Sequence, residues 1–230
     1  MPRSRPLTPP RIAEAALAVG DREGGPAMTM RRIAAELGCD PMALYRHFAD
    51  REALLDAVAD LALADVTAPD PRAGWEERLR HVATAIREAA LRHPGAAAHV
   101  AARPPLGPHG RRLGAAIFAA LLDAGLPRPA AVRAAQALIA YVAAALAMAV
   151  RAGQRDARWS QVSQVISALP DSSPGSPPGS LSGSPPDSLP DSLPGEELPV
   201  VGSAEQFAYG LGLLLAGIRV EAEAARRNGP

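Results

Sequence analysis

The sequence predicts an all-α fold, on three observations. Fifty of the 230 residues are Ala and only eight are aromatic. That composition packs helices through small side chains and disfavours a sheet built on aromatic and β-branched residues. Residues that start helices recur along the chain, each followed by Pro or by apolar residues at helical spacing. Four such segments crowd into the first 66 residues, with a tight Gly turn between the second and third, the outline of a helix-turn-helix unit.

The first segment opens at Thr8-Pro9, runs through Ile12, Ala15, Ala16 and Val19, and breaks at Gly24-Gly25-Pro26. Thr8 is expected to cap it, with Pro in the first turn. Thr29 caps the second, its hydroxyl accepting from the free amides at 31 or 32, and Gly38 stops it. Asp40 and Pro41 start a short third segment, 42–48, and Asp50 caps a fourth that runs to 66. Beyond Ala68-Pro69-Asp70-Pro71 the segments lengthen, to 75–93, 108–124, 129–152, a short piece at 159–169, and 203–227. The expected division is therefore a three-helix helix-turn-helix domain with the start of a linker helix at 1–66, and a larger helical ligand-binding and dimerisation domain at 67–230. Residues 170–199 hold nine Pro, eight Ser and four Gly. Such a stretch buries too little apolar surface to offset its conformational entropy, so a disordered loop is expected there.

Charge does not announce a partner: 24 Arg balance 24 acids and Lys is absent. The loop holds five of the acids and no base, which leaves the other 200 residues at +5. Residues 1–51 carry eight Arg against six acids, so any nucleic-acid surface depends on where individual Arg residues sit. The single Cys39 excludes an intrachain disulfide and a Cys-based metal site. His81, His93, His99 and His109 show no i, i+4 pair, and neither metal nor cofactor is expected. The first eleven residues lack the apolar run of a secretory signal. The longest uncharged stretch, 134–150, is Ala-rich and shorter than the ~20 apolar residues of a membrane span. A soluble cytoplasmic protein is the expectation.

The segment from Thr29 to Phe48 carries the chemistry. Ile33, Ala34, Leu37, Leu44 and Phe48 would pack two helices about the Gly38 turn, leaving Pro41, Met42, Ala43, Tyr45, Arg46 and His47 outward. An exposed helix bearing basic and aromatic groups on this frame fits the DNA major groove. Arg46 could reach phosphate or a guanine edge, Tyr45 and His47 could donate to phosphates, and Arg31 is the best candidate for a bidentate guanine contact. Thr29 and Arg51, at helix starts, would clamp the backbone on either side. Arg3 and Arg5 could form a minor-groove arm, although a solvated tail is the simpler reading.

Residues 8–66 closely resemble the N-terminal domain of the tetracycline-repressor (TetR) family of bacterial transcription regulators. The resemblance stands on Thr29 to Arg32, Leu37-Gly38, Leu44-Tyr45-Arg46-His47-Phe48 and Arg51-Glu52-Ala53-Leu54-Leu55. It implies DNA contacts from Thr29, Arg31, Pro41, Met42, Ala43, Tyr45, Arg46, His47 and Arg51. Two long helical stripes, Leu138, Val142 and Ala145 with Phe207, Leu211, Leu214, Leu215 and Ile218, resemble the family's dimerisation helices, although by spacing alone they could equally fill the monomer core. A homodimer would bring two recognition helices to successive major grooves of a pseudo-palindromic operator.

His99-Val-Ala-Ala-Arg103-Pro104 resembles the tetracycline-repressor subclass, in which this segment borders the effector pocket. By that resemblance His81, Ile86, His99, Arg103, Phe118 and Tyr141 would line a pocket for a mostly apolar organic effector. His81, Ala102, Ala115 and Thr67 replace polar or metal-linked anchors of the tetracycline binders, which argues against a magnesium–tetracycline ligand. The expected function is a ligand-responsive repressor released from DNA by its effector. An activator or effector-independent regulator is the alternative. An all-helical carrier or enzyme is a weaker one, since the chain has no nucleophile elbow, zinc-protease or phosphate-loop motif.

Overall fold

The computed structural model describes residues 6–152 and 201–228, and over these residues it is built of α-helices without a strand. The helices are α1 Pro9–Glu23, α2 Met30–Leu37, α3 Pro41–Leu44, α4 Arg51–Leu61, α5 Trp75–Arg92, α6 Pro94–Ala102, α7 Pro108–Asp123, α8 Arg128–Ala152 and α9 Ala204–Asn228. The short piece expected at 159–169, the Pro-rich segment at 170–199 and the Arg3–Arg5 arm lie outside the described residues.

Three helix ends depart from the sequence expectation. Thr8 holds the N-cap position of α1 in extended backbone, but its hydroxyl makes no capping bond. Pro9 and Pro10 supply the first two helical positions and carry no N–H, so a side-chain cap has little to bind. Helix α3 ends at Leu44, and the chain continues as turn through His47, where the Leu44 carbonyl accepts from both His47 N and Phe48 N, at 2.9 and 3.0 Å. Helix α4 stops at Leu61 instead of reaching residue 66, and turns carry the chain onward. Helix α6 was not expected. Its Pro94-Gly95 start reads as a turn, yet Pro is well placed at the first position of a helix.

Two main cores result. The N-terminal one gathers Ile12, Ala16, Ile33, Leu44, Leu54 and Val58, and it takes in Ala96 of α6. The larger one is built on Leu79, Leu113, Leu121, Leu138 and Leu211 and includes Leu63 and Val66, just beyond α4. Each of these fully buried Leu side chains contributes about 2 kcal/mol of hydrophobic stabilisation. Helix α6 therefore lies between the two cores. Its approach to α1 is close: a Cβ on Gly95 would overlap the backbone of Gly20, and a Cβ on Gly20 would press on the Met28 thioether at 2.8 Å. Glycine at both positions lets the two backbones touch.

Helix α8 is long and apolar enough to cross a membrane by composition, with a mean hydropathy of 1.6. Here its Leu138, Val142 and Leu146 are buried within the protein. Val132, Ala137, Ala140 and Ala144 remain on its exposed side.

Candidate nucleic-acid interface and the cavity behind it

The turn between α2 and α3 sets the geometry of the first site. Gly38 adopts a left-handed conformation (φ 65°) and closes α2 by donating its N–H back to the helix. The Thr29 hydroxyl accepts from Arg32 N at 3.2 Å. An Asp40 carboxylate oxygen accepts from Met42 N at 2.7 Å, and Asp50 does the same for Ala53 N at 2.7 Å. Each of these three starts agrees with the cap read from sequence. With Ile33, Ala34, Leu44 and Phe48 buried beneath, the outward positions are fixed. Met42 is 66% exposed and Tyr45 44%. Arg31, Arg46 and His47 are exposed, while Pro41 and Ala43 are half-buried at the edge of the same face.

The two consecutive arginines at the start of α2 have opposite fates. Arg32 forks onto Glu23, with its Nε at 3.0 Å, and reaches Glu36 at 2.9 Å. Arg22 adds a second bond to Glu36 at 2.8 Å. Hydrogen bonding from Arg32 holds the carboxyls of both Glu23 and Glu36 below the ordinary range and raises the Arg32 guanidinium in turn. Arg32 is thus committed to tying α1 to α2. Among the described residues no ion pair or hydrogen bond engages the side chain of Arg31, Arg46 or His47, and these groups stand free for a polyanion. Arg51 is different: it is half-buried, its Nε donates to Met28 O at 2.8 Å, and its Nη1 lies 3.6 Å from Glu52. It fastens the start of α4 to the turn before α2.

Behind this face, α6 is joined to the N-terminal helices by polar contacts. At its start His93 Nδ1 lies 2.8 Å from Asp21 of α1. Near its end His99 Nε2 lies 2.9 Å from Asp56 of α4, and Arg103 reaches the other Asp56 oxygen at 3.0 Å. A third junction involves Asp60 of α4, only 5% exposed. Its two oxygens accept from the backbone amides of Gly110 at 2.8 Å and His109 at 3.2 Å, in the first turn of α7. A carboxylate there satisfies free amides and faces the positive end of the helix dipole. Gly107 is part of this junction, because a Cβ on it would fall on the carboxylate.

An apolar cavity of about 210 Å³ opens on the other side of the α6–α7 turn. Ile86, Val100, Leu113, Ile117, Leu138 and Val142 line it from four helices, and Pro104, Pro105 and Leu106 form one wall. Of the six residues that the resemblance brings to a pocket, Ile86 is the one that lines this cavity, while Arg103 borders a neighbouring cleft beside Asp56 and Tyr141 one beside Phe207. His99 and Arg103 turn toward Asp56, whose two carboxylate oxygens engage them. His81 is exposed, with its Nε2 3.3 Å from Thr67 O. Phe118 lies under the Arg128 guanidinium, 5.2 Å from its ring centre. Tyr141 stacks on Phe207 at 5.6 Å and donates its hydroxyl to Phe207 O at 2.7 Å, and burial pushes its phenol pKa up. Pro104 closes the segment that the resemblance brings to the pocket's border, whereas the wall-forming Pro105 and Leu106 and the small Gly114 escaped the sequence reading, since only topology brings a loop and four helices around one space.

The expected dimerisation stripe is largely buried within its own chain. Leu138, Val142, Phe207, Leu211, Leu215 and Ile218 are at most 7% exposed within a single chain, and Ala145 and Leu214 pack against the same core. These residues hold α8 and α9 to their own protomer. The outward apolar positions of α9 are Tyr209 (72% exposed), Leu213 (59%) and Val220 (63%), with Ala216 exposed between them. The outward set lies on the face of α9 opposite the expected stripe, a choice of side that a composition of Ala and Leu does not specify.

A helical body with a capped helix-turn-helix, free basic groups on one face and an apolar cavity behind it defines a ligand-cavity protein with a nucleic-acid-binding head. Residues 12–58 match the family described as bacterial regulatory proteins, tetR family, and residues 68–222 match its tetracyclin repressor-like C-terminal domain. The chain belongs to the TetR family.

Among curated relatives, an HTH-type transcriptional regulator of Saccharopolyspora erythraea is 31% identical over 142 residues, covering 61% of this chain and 60% of that protein. The tetracycline repressor protein class D of Escherichia coli is 36% identical over 97 residues, covering 40% and 44%. The matched stretches therefore span less than two thirds of those relatives. Solved structures agree over more of the chain. ActR from Streptomyces coelicolor, in complex with actinorhodin, superposes with a TM-score of 0.72 at 29% identity, over 95% of this chain and 99% of that one. BioQ with its double-stranded DNA operator gives 0.63 at 25%, over 93% and 99%.

Proposed function

We propose that this protein is a cytoplasmic DNA-binding transcriptional repressor that holds a pseudo-palindromic operator as a homodimer and is released by a small apolar effector. One observation carries the reading: Arg31, Arg46, Tyr45 and Met42 share an exposed face of a helix-turn-helix while the neighbouring Arg32 is neutralised within the protein. Guanidinium groups without an internal partner serve phosphate and guanine edges. The operator-bound relative BioQ and the ligand-bound relative ActR support the two halves of the reading. The chain divides functionally near residue 67, between the DNA-binding head and the effector domain.

The effector acts from the cavity. Its wall at Pro104–Leu106 runs directly into the Gly107–Gly110 turn that Asp60 caps, so an occupant that shifts this turn bears on α4. Release then requires only that the occupant bind the DNA-incompetent arrangement more tightly than the competent one. The dimer forms through the outward stripe of Tyr209, Leu213, Ala216 and Val220 together with the exposed side of α8.

The test is operator binding at a single stated salt concentration, with DNA from upstream of the protein's own gene. The double variant Arg31→Ala and Tyr45→Ala is expected to abolish the shift while sedimentation still reports a dimer. Undiminished DNA binding by that variant would refute the assignment of this face.

A further inference from the structure

The cavity has an unusual lining. Of the sixteen residues around it, fifteen carry apolar side chains or none, and Arg111 is the exception. Arg111 sits in the first turn of α7, where its Nη1 donates to Leu106 O at 2.8 Å, on the wall between the cavity and solvent. That bond uses one of five N–H donors, and the side chain is exposed to solvent at the edge of the cavity it lines. Among the described residues no carboxylate pairs with it. Asp60 of α4, which caps the same turn, is occupied by the amides of His109 and Gly110. Arg112, next in sequence, points its guanidinium to Ala64 O instead, at 3.5 Å. The backbone amides of the turn are also taken, since Arg111 N donates to Gly107 O at 2.9 Å. An anion at the rim therefore has one strong donor to meet, the Arg111 side chain.

We propose that the cavity selects amphipathic organic acids, molecules with an apolar body and one terminal carboxylate, and that Arg111 is the residue that reads the acid. The inference rests on the reading of this cavity as the effector site. The apolar lining offers no hydrogen bond to a polar group in the body of a ligand, so internal hydroxyls or amines lose their water without replacement. A cationic head would meet Arg111 and be repelled. A carboxylate gains charge-assisted, bidentate contact with the guanidinium fork. The preference is expected to be about tenfold over the neutral analogue, since the group is at a rim open to water.

The experiment uses the full-length protein and three probes that share one chain, decanoate, decan-1-ol and decylamine, measured by calorimetry at pH 7.5 and constant ionic strength. Decanoate is ionised there. Decanoate is expected to bind about tenfold more tightly than decanol, and decylamine more weakly than both. Arg111→Gln should remove the gap between decanoate and decanol while leaving decanol affinity unchanged. Gly114 gives a second variant: a Cβ on it meets nothing within 4 Å, and it lines the cavity. Gly114→Leu should fill the space and abolish binding of all three probes in a protein that still melts cooperatively.

Equal or tighter binding of decanol, a gap that survives Arg111→Gln, decanoate binding that survives Gly114→Leu, or no binding of any probe would each overturn the proposal. Operator affinity is measured in parallel. Decanoate binding through Arg111 with operator affinity unchanged would uphold the acid site and refute its role as the effector site.

Discussion

Replacing Asp60 by Ala removes the carboxylate that accepts from two amides at the start of α7. The Gly110 bond is short, 2.8 Å, and the His109 bond longer, 3.2 Å, and both lie where the carboxylate is almost fully buried. Loss of a helix cap costs about 1–2 kcal/mol, and loss of a partly buried charge at a helix terminus up to about 2 kcal/mol more. Asp60→Ala should therefore destabilise the protein by about 1–4 kcal/mol, since the freed amides lose a buried acceptor. Asp60→Asn keeps one carbonyl oxygen for Gly110 N but loses the charge and turns an amide toward His109 N, so about half that loss is expected. Urea unfolding at matched protein concentration measures both, because assembly shifts apparent stability. An Asp60→Ala midpoint corresponding to less than about 0.5 kcal/mol, the usual range of an unremarkable surface change, would refute the view that this carboxylate fastens α4 to α7.

Other substitutions probe other junctions. A Cβ on Gly210 would lie 2.5 Å from the Tyr141 hydroxyl, so Gly210→Ala should destabilise by about 1–3 kcal/mol through overpacking. Tyr141→Phe in the same chain should recover part of that loss in a double-mutant cycle. Glu76 of α5 takes a two-pronged contact from Arg219 of α9, at 2.6 Å through each nitrogen. Hydrogen bonding from Arg219 lowers the Glu76 pKa, so this contact stabilises the fold above the ordinary glutamate range and is lost as pH falls through the depressed value. The stability difference between wild type and Arg219→Gln should accordingly be present at neutral pH and shrink toward zero in acid, as followed by thermal unfolding. Leu213→Glu with Val220→Glu should shift sedimentation from dimer to monomer with secondary structure intact, whereas a persistent dimer would place the interface elsewhere.

The helix-turn-helix was legible in the sequence because its determinants are local. Thr29, Asp40 and Asp50 cap the helices that follow them within three residues, and Gly38 supplies a backbone conformation that few other residues adopt. The cavity was not legible in the same way. His99 and Arg103 carry ligand-binding chemistry, yet Asp56, more than forty positions away, draws both to α4. Helix α6 was hidden by Pro94-Gly95, a pair that reads locally as a turn until Gly20 of α1 is seen against it. On α9, Leu211 and Leu215 are buried while Leu213 is exposed. A stripe of similar apolar residues does not say which side meets its own chain and which is left for a second copy.

The touching backbones of Gly20 and Gly95 bear on how regulators of this shape can be recombined. Domain exchange treats the DNA-reading head and the sensing body as separable cassettes joined by a linker, but here one half of a steric key lies in each. A head grafted onto a body with Ala at the position of Gly95 would be held off α6 by a methyl group, and the body would sense its ligand without passing the news on. Successful chimaeras should carry both glycines, and selections for working hybrids should recover them at these two positions.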